Sequence, residues 1–468
     1  MTESTFFDRT LAQFRRVLRV TRRAGAVPLG ESLSPDLTDD DLATIRTHIN
    51  ACLEGRGGEV TARNRAAELG EIYLTLSANG RQRFLFLLAS DYDVSENEVA
   101  PLIGRWQAAD DPQARRAIQN DLRHLLIPPR MRLLQQFNEL ALGVKFLVDM
   151  RAELLKLARE HDELKPLSED MRELLASWFD VGFLDLKVIT WHTPAALLEK
   201  LIEYEAVHAI QSWTDLKNRL DDDRRCYAFF HPRMPEEPLI FVQVALVKGM
   251  SDNIQALLDE NAPKPDPREA DSAIFYSISN CQTGLAGVSF GNFLIKRVAN
   301  DLKRDMPNIK TFATLSPIPG FTKWLMGPGA EVIDGCAQGE IPPVLSEAYD
   351  AHDWRTVVKH AVKAGDWADE AAKAVALKPV IERLCAHYLL EAKRGARALD
   401  PVAHFHLTNG ARVERLNWLG DRSPHGMRQS AGLMVNYLYE LSQVDDNHEA
   451  YSSNGEITAA AGVSRLVR

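Results

Sequence analysis

The chain has 468 residues, of which 45% are hydrophobic and 26% charged, and its formal net charge is −10. These values are typical of globular proteins and exclude a wholly disordered chain, and the length predicts two domains. The acidic balance argues against general binding to nucleic acid or to a membrane surface, so we expect neither as a partner. The five cysteines are scattered without a C-x-x-C pair, which indicates a reducing compartment.

The first residues of the chain carry six arginines between Arg9 and Arg23. Arginine-rich N-terminal segments also occur in proteins that are targeted to organelles. However, Leu11, Phe14 and Leu18 follow the spacing of a helix, and the acidic residues Glu3 and Asp8 precede them. We therefore predict an ordinary first helix and a cytoplasmic location, with the mitochondrial matrix as the alternative.

Helical periodicity runs through almost all of residues 1–167. One predicted helix has its apolar face formed by Leu42, Ile45, Ile49 and Leu53. The pair Pro128-Pro129 is predicted to open a long helix, along one face of which lie Leu134, Phe137, Leu140, Val144 and Leu147. The pattern predicts an all-α helical bundle over residues 1–167, whose role is packing or self-association.

The second part of the chain, residues 168–468, has a different pattern. Short β-branched or aromatic runs predict strands at residues 226–230, 239–247, 273–279 and 309–315. Residues 402–407 and 412–418 predict two more strands, joined in a hairpin around Asn409-Gly410. Residues 346–398 have the pattern of helices. We predict an α+β or α/β domain in which a mixed sheet carries a helical insertion.

A strand, a glycine-containing loop and a helix follow one another in residues 273–304. Loop amides and a helix N-terminus can bind phosphate, but the spacing is neither G-x-G-x-x-G nor a P-loop. The unit resembles the one with which acetyltransferases of the GNAT type bind the coenzyme A (CoA) diphosphate. The residues predicted to bind CoA are Gly284, Gly287, Ser289, Phe290, Gly291 and Asn292. The alternative is that the glycines only shape the turn.

The same loop contains the pattern G-x-S-x-G around Ser289, which is typical of the nucleophile elbow of α/β-hydrolases. In that elbow the serine directly follows the strand. Here ten residues separate Ser279, at the end of the predicted strand, from Ser289. The spacing therefore argues against a hydrolase.

Ser316 precedes a stiff segment with Pro317, Pro319 and Gly320. Such a segment can hold a hydroxyl in a fixed direction, and a plain proline-rich loop with a surface serine is the alternative. Further along the chain, His404 and His406 would face the same side of the predicted strand.

No third metal ligand is spaced to join the two histidines, so no metal is expected. One catalytic and one structural histidine, or two packing residues, both fit this pattern. Tyr437 and Tyr439 could donate hydrogen bonds, or pack at the edge of the core.

Long segments of the second part resemble the malonyl-CoA decarboxylase family, namely residues 273–279, 291–298, 315–324, 405–411, 415–418 and 432–437. The helical first part also suits the family architecture, a helical oligomerisation domain followed by a GNAT-like catalytic domain. The resemblance implies conversion of malonyl-CoA to acetyl-CoA and CO2 without a cofactor. The helical first part suggests a homodimer or a homotetramer.

The catalytic serine and histidine of the family fall on Ser316 and His406, and its late tyrosine falls on Tyr439. A serine hydroxyl can orient the departing carboxylate, and a histidine can hold the enolate oxygen or protonate its carbon. Some family members carry a glutamate where this chain has Ser289. A GNAT-type acyltransferase and a non-catalytic acyl-CoA sensor are the alternative functions.

Overall fold

The computed structural model describes residues 32–54, 59–138, 140, 142–179, 181–288 and 294–467. The predicted first helix around Leu11 and Leu18 lies outside these ranges. Contacts divide the chain into two compact units: residues 1–184 with 231–238 and 282–290 form the first, and residues 185–230, 239–281 and 291–468 form the second. Within the described ranges, no helix is long and apolar enough to cross a membrane.

The first unit is built from helices, as the periodicity predicts. In chain order they are α1 (Asp39–Leu53), α2 (Glu59–Thr75), α3 (Ala78–Asp91), α4 (Glu96–Ala108), α5 (Pro112–Leu125), α6 (Pro129–Asn138), α7 (Gly143–Leu157) and α8 (Lys165–Trp178). Helix α1 begins with a capping box, because Thr38 accepts from the amide of Asp41 while the Asp41 carboxylate accepts from the amide of Thr38.

The prediction of one long helix from Pro128-Pro129 is wrong in one respect, because the chain forms two helices there. Helix α6 ends at Asn138 and α7 begins at Gly143. A side chain on Gly143 would lie 1.6 Å from the Phe137 carbonyl oxygen, so the close approach of the two helices requires glycine. The predicted apolar face is nevertheless buried, since Leu134, Phe137, Leu140, Val144 and Leu147 all lie in the core.

The second unit contains the sheet. Its strands are β1 (Asp185–Ile189), β2 (Arg224–His231), β3 (Met234–Val247), β4 (Ser272–Asn280), β5 (Thr311–Thr314), β6 (Ser316–Pro317), β7 (Lys393–Arg394), β8 (Arg397–Ala398), β9 (Arg412–Asn417) and β10 (Met434–Leu438). Some residues of β2 and β3 belong to the first unit. The strands predicted at residues 226–230, 239–247, 273–279, 309–315 and 412–418 are all present, with shifted ends.

Helices connect and cover these strands. In chain order they are α9 (Ala195–Tyr204), α10 (Trp213–Arg219), α11 (Ile254–Leu257), α12 (Leu294–Asp305), α13 (Phe321–Met326), α14 (Ile333–Cys336), α15 (Pro343–Tyr349), α16 (Trp354–Ala364), α17 (Ala371–Leu390), α18 (Pro401–Thr408), α19 (Pro424–Ser430), α20 (Val444–Asn454) and α21 (Ala461–Ser464). Helices α15 to α17 form the predicted helical insertion. A helical first part and a mixed sheet with an insertion agree with the predicted fold class.

The large sheet has the strand order β1-β2-β3-β4-β5-β10-β6, with β9 paired to β10. Strands β4 and β5 run parallel, and β10 runs antiparallel to β5, β6 and β9. The last strand in the chain is thus inserted next to β5 and β6. This arrangement brings residues near 316 and near 437 together, although they are far apart in sequence.

The prediction of a strand at residues 402–407, and of a hairpin that joins it to residues 412–418, is wrong. Residues Pro401–Thr408 form the helix α18 instead. Asp400 caps the helix by accepting from the amides of Val402 and Ala403, and Pro401 occupies the first helical turn. Gly410 has a φ of +81° just after the helix end, which is the usual place of a glycine there rather than a hairpin turn.

Candidate active site

Ser316 lies in the short strand β6, where it pairs with Val435 of β10. Its side chain is 5% exposed. Pro317 follows, and the chain then turns at Gly320 into helix α13. The predicted stiff segment therefore holds a buried hydroxyl, and the alternative of a serine on a surface loop is wrong.

His406 lies in helix α18 with its side chain turned towards Ser316. The distance between Ser316 Oγ and His406 Nε2 is 3.1 Å, and that between His406 Nδ1 and Tyr439 Oη is 2.7 Å. The ring of Tyr437 stacks on the imidazole at a centroid distance of 4.5 Å. Three residues from three separate segments of the sequence are thus joined by hydrogen bonds.

His404 does not share this environment, so the prediction that both histidines face one side is wrong. Residues two apart on a helix point in very different directions, whereas on a strand they would align. His404 Nδ1 lies 2.8 Å from the hydroxyl of Tyr451. Tyr437 and Tyr439 lie in and directly after strand β10 rather than on a helix.

Burial fixes the charge of His406. The side chain is 3% exposed, and the loss of hydration lowers the pKa of His406 to about 3. The imidazole is therefore neutral near pH 7 and carries one proton on its ring. That proton can sit on either nitrogen, so the hydrogen-bond partners decide its position.

The partners place the proton on Nε2. Tyr439 is buried, and among the described residues its hydroxyl has only His406 Nδ1 as a hydrogen-bond partner. Leaving a buried hydroxyl proton without an acceptor would be costly, so Tyr439 donates to Nδ1. The Nε2 proton then points at Ser316 Oγ, and Ser316 donates to Thr314 Oγ1 at 2.8 Å. We infer that His406 acts as a donor towards the serine.

A cavity of about 270 Å³ opens at this pair. It is lined by Val207 and by residues of β4, β6 and helix α18: Phe275, Tyr276, Ser277, Ile278, Asn280, Ser316, Pro317, Pro401, Val402, Phe405 and His406. The lining is mainly apolar with a few polar groups, as is usual for a pocket that binds a small molecule.

The pairing between strands β4 and β5 ends beside the cavity. Strand β4 pairs with β5 only from Ser272 to Phe275, and the last bond runs from the Leu315 amide to the Phe275 carbonyl at 3.0 Å. Strand β4 continues beyond this point as one wall of the cavity. Tyr276 is an extra residue there, because Phe275 pairs with Val244 and Ser277 pairs with Gln243. A bulge next to a site commonly redirects side chains.

Asp400 connects the two segments that carry the pair. One carboxylate oxygen caps helix α18, and the other accepts from the amide of Gly320 and from the hydroxyl of Tyr388, each at 3.2 Å. Burial raises the pKa of this carboxyl against the effect of these four hydrogen bonds. The segment after Ser316 is thereby fixed to the start of the helix that carries His406.

The predicted CoA-binding residues are only partly described. Ser289, Phe290, Gly291 and Asn292 lie outside the described ranges. Gly284 and Gly287 belong to the first unit, and a side chain on Gly284 would lie 1.8 Å from the Val148 carbonyl oxygen of helix α7.

The contact with α7 explains why residue 284 is glycine, whether or not CoA binds there. Gly287 has a φ of +77°, a left-handed conformation that glycine adopts readily. Among the described residues, no three His, Cys, Asp or Glu side chains are grouped so as to hold a metal ion.

Comparison with known proteins assigns the family. The model of the malonyl-CoA decarboxylase C-terminal domain matches residues 182–468, and that of the N-terminal domain matches residues 92–179. The chain belongs to the malonyl-CoA decarboxylase family. It is 37% identical over 422 residues to the mitochondrial malonyl-CoA decarboxylase of Anser anser anser, which covers 87% of this chain and 84% of the relative.

Solved structures of malonyl-CoA decarboxylases are similar over nearly their whole length. The enzyme from Rhodopseudomonas palustris matches with a TM-score of 0.80 and 42% identity, and the match covers 91% of this chain and 99% of the chain of that enzyme. The enzyme from Agrobacterium vitis has a TM-score of 0.79 and 40% identity, and covers 91% of this chain and 100% of its own.

The sequence did not single out Thr314, Asp400 or most of the other residues that line the cavity. For Asp400 a signal was present, because Asp followed by Pro is a common start of a helix. For Thr314 there was none, since its role depends on the distant strand β10: its hydroxyl oxygen also accepts from the amide of Tyr437 at 3.1 Å.

Proposed function

We propose that this protein converts malonyl-CoA to acetyl-CoA and CO2 without a cofactor, with Ser316, His406 and Tyr439 as its catalytic group. The observation that carries the proposal is the Ser316–His406 pair, 3.1 Å apart at the wall of a cavity of about 270 Å³. Membership of the malonyl-CoA decarboxylase family supports the choice of substrate.

The chemistry needs donors more than it needs a base. Loss of CO2 leaves the electron pair of the broken carbon–carbon bond on the thioester as an enolate. A donor aimed at the oxygen that becomes negative lowers the barrier by about 2.7–4 kcal/mol in comparable sites. A neutral imidazole with its proton on Nε2 is such a donor. Because it is uncharged, it avoids the free-energy cost of burying a charge.

Ser316 completes this arrangement by orienting the carboxylate that leaves. In the free protein its proton is directed to Thr314 Oγ1, and its oxygen accepts from His406. When substrate binds, the Ser316 hydroxyl can rotate its proton from Thr314 Oγ1 to the carboxylate, and the Nε2–H group of His406 can donate to the enolate oxygen in place of Ser316 Oγ. The enolate carbon then takes up one proton from solvent, which replaces the carboxylate that leaves as CO2.

We propose that the CoA chain lies along the part of β4 that extends beyond its pairing with β5. Since β4 runs past its pairing with β5, an extended chain can lie beside it as an additional strand does in peptide recognition. We propose separately, from the sequence, that Gly284, Gly287, Ser289, Phe290, Gly291 and Asn292 bind the CoA diphosphate.

Turnover of malonyl-CoA tests the reaction directly. We expect acetyl-CoA and CO2 in equal amounts, without free thiol, from purified protein to which no metal or cofactor has been added. Release of free thiol would indicate a hydrolase or an acyltransferase instead. Binding without turnover would indicate an acyl-CoA sensor and would contradict the proposal.

Variants test the residues. We expect Ser316→Ala and His406→Gln each to lower kcat by about 100-fold or more, the usual scale for general acid–base groups and oxyanion donors. Tyr439→Phe should lower kcat as well, because Nδ1 loses the donor that sets the tautomer. The matched control is His404→Gln, a histidine of the same helix that contacts Tyr451 instead, and it should keep normal turnover. Normal turnover in the Ser316 or His406 variant would contradict its role.

We also propose a homodimer or homotetramer that acts in the cytoplasm. Family membership and the helical first unit support self-association. The mass in solution, measured by light scattering, distinguishes the two assemblies from a monomer. The location rests on residues outside the described ranges, and imaging of the tagged full-length chain tests it.

A further inference from the structure

The ring of Tyr437 lies against the imidazole of His406. The two ring centroids are 4.5 Å apart, and the ring planes are inclined by 24°. Tyr437 belongs to strand β10 and is 0% exposed. Two aromatic rings in such a stack make a contact with a preferred geometry. The proposed mechanism uses the hydrogen bonds of His406 but gives this stacking contact no part.

The hydroxyl of Tyr437 is not what holds this ring in place. It is buried, and among the described residues it has no hydrogen-bond partner. A buried hydroxyl without a partner lowers stability. Burial raises the pKa of Tyr437, and the charge of Asp400 raises it further, so the group is a neutral phenol near pH 7 and cannot serve as a base. What Tyr437 offers to His406 is therefore its ring.

The backbone of Tyr437 is fixed relative to Ser316. Its amide donates to Thr314 Oγ1 at 3.1 Å, and the same oxygen accepts from Ser316 Oγ at 2.8 Å. The side chain of the preceding residue, Asn436, donates to the Thr314 carbonyl oxygen at 2.6 Å. One residue of β10 thus contacts the imidazole through its ring and the support of Ser316 through its amide.

The stack becomes more important once substrate is bound. In the free protein two hydrogen bonds hold the imidazole, one from Nε2 to Ser316 and one from Tyr439 to Nδ1. In the proposed reaction the Nε2–H group donates to the enolate oxygen instead, and the bond from Tyr439 remains. One bond at Nδ1 lets the ring swing, because the last torsion of a histidine side chain has only a broad preference. A ring stacked on the face of the imidazole opposes this movement.

We propose that Tyr437 is a positioning residue, whose ring holds the imidazole of His406 in the plane from which Nε2–H reaches the enolate oxygen. The inference rests on the proposed decarboxylation. A donor that already points at the oxygen needs no reorganisation as the negative charge develops, which is the source of the effect of preorganised donors. The described residues that line the cavity do not include Tyr437, so it acts through His406.

Removal of the ring tests the proposal. Tyr437→Leu should lower kcat and kcat/KM by the same factor and leave KM unchanged, because the stack gains importance only as the enolate forms. We expect a decrease of about tenfold, the scale of one aromatic contact. Tyr437→Met should give the same result with a flexible side chain that fills the space of the ring better. Normal kcat in either variant would overturn the proposal.

Two further variants separate the ring from the hydroxyl and from its surroundings. Tyr437→Phe keeps the ring, so it should keep normal kcat, and a tenfold fall would show that the hydroxyl acts instead. The matched control is Tyr451→Leu, which removes a ring at 5.8 Å from the other histidine of the helix, His404. It should leave kcat normal, and an equal loss in this control would contradict a specific role of Tyr437.

A double-mutant cycle distinguishes positioning from a general loosening of the fold. In the His406→Gln background, Tyr437→Leu should have no further effect on kcat, because no imidazole remains to be held. A further tenfold fall there would show a merely structural role and would refute the inference. If the wild type fails to decarboxylate malonyl-CoA, the proposed function itself fails. If the wild type is active but the two losses multiply, only this inference fails.

Discussion

His406, which we propose as a catalytic residue, also lowers the stability of the folded protein at low pH. Burial lowers the pKa of His406 from 6.5 to about 3, so the unfolded chain takes up a proton at this residue at a higher pH than the folded chain does. Stability is therefore fully present above pH 6.5 and decreases as the pH falls towards 3. The decrease is about 1.4 kcal/mol for each pH unit within that window.

This pH dependence can be measured by difference. We expect the free energy of unfolding of the wild type to decrease by about 2 kcal/mol more than that of His406→Gln between pH 6.5 and pH 5, because glutamine does not titrate. Urea unfolding, followed by the fluorescence of tryptophans in the second unit, measures both chains. Parallel pH profiles would show that His406 is not buried as a neutral imidazole.

At the scale of elements, the geometry of the pair depends on how helix α18 is fixed to the segment after Ser316. Asp400 joins them, and Gly320 and Tyr388 meet at the same carboxylate oxygen. A side chain on Gly320 would lie 2.1 Å from the Tyr388 hydroxyl. The backbone of Gly320 has a φ of −93°, so only the contact, and not the conformation, requires glycine.

A methyl group added at Gly320 is predicted to overpack the contact between this residue and Tyr388. Gly320→Ala should lower the free energy of unfolding by about 1–3 kcal/mol and lower kcat, since the junction must open. Tyr388→Phe removes the hydroxyl, and the nearest ring atom, Cζ, would then lie 3.2 Å from the new methyl group. The double variant should therefore recover part of both losses. A double-mutant cycle measures the coupling, and simple additivity would contradict the contact.

At the scale of the whole molecule, Asp149 in the first unit is predicted to respond to acid in the opposite direction to His406 in the second unit. In the first unit, burial raises the pKa of Asp149 to about 6, despite Lys145 Nζ at 2.5 Å from its Oδ1. The carboxylates of Glu153 and Glu237 raise it further. A raised carboxyl pKa adds stability below about pH 4, the unfolded value, and this stability is lost as the pH rises through 6.

The comparison of wild type with Asp149→Asn isolates this effect. Between pH 7 and pH 5 the wild type should gain about 1–2 kcal/mol relative to the variant. Hydrogen exchange of the amides of α7 reports on the first unit alone, which a global melting curve does not. A gain of the same size at the amides of β4, in the second unit, would contradict the assignment to Asp149.

The sequence by itself determined most elements of this protein and the family to which it belongs. Helical stripes and β-branched runs reveal which face is buried, because burial imposes a period of 3.6 or 2 residues on a local segment. The long motifs around Ser316 and His406 identified the family, as the comparisons confirm. Such patterns are local, so they can be read without knowing which distant segments meet.

Only the tertiary structure decided how residues 400–410 fold and what surrounds them. The alternation of Val402, His404 and His406 fits a strand, but the cap by Asp400 and its bonds to Gly320 and Tyr388 favour the helix. The grouping of Thr314 with Ser316 and His406 depends on contacts between segments distant in sequence. These contacts set the direction, burial and charge of each group, which residue order alone leaves open.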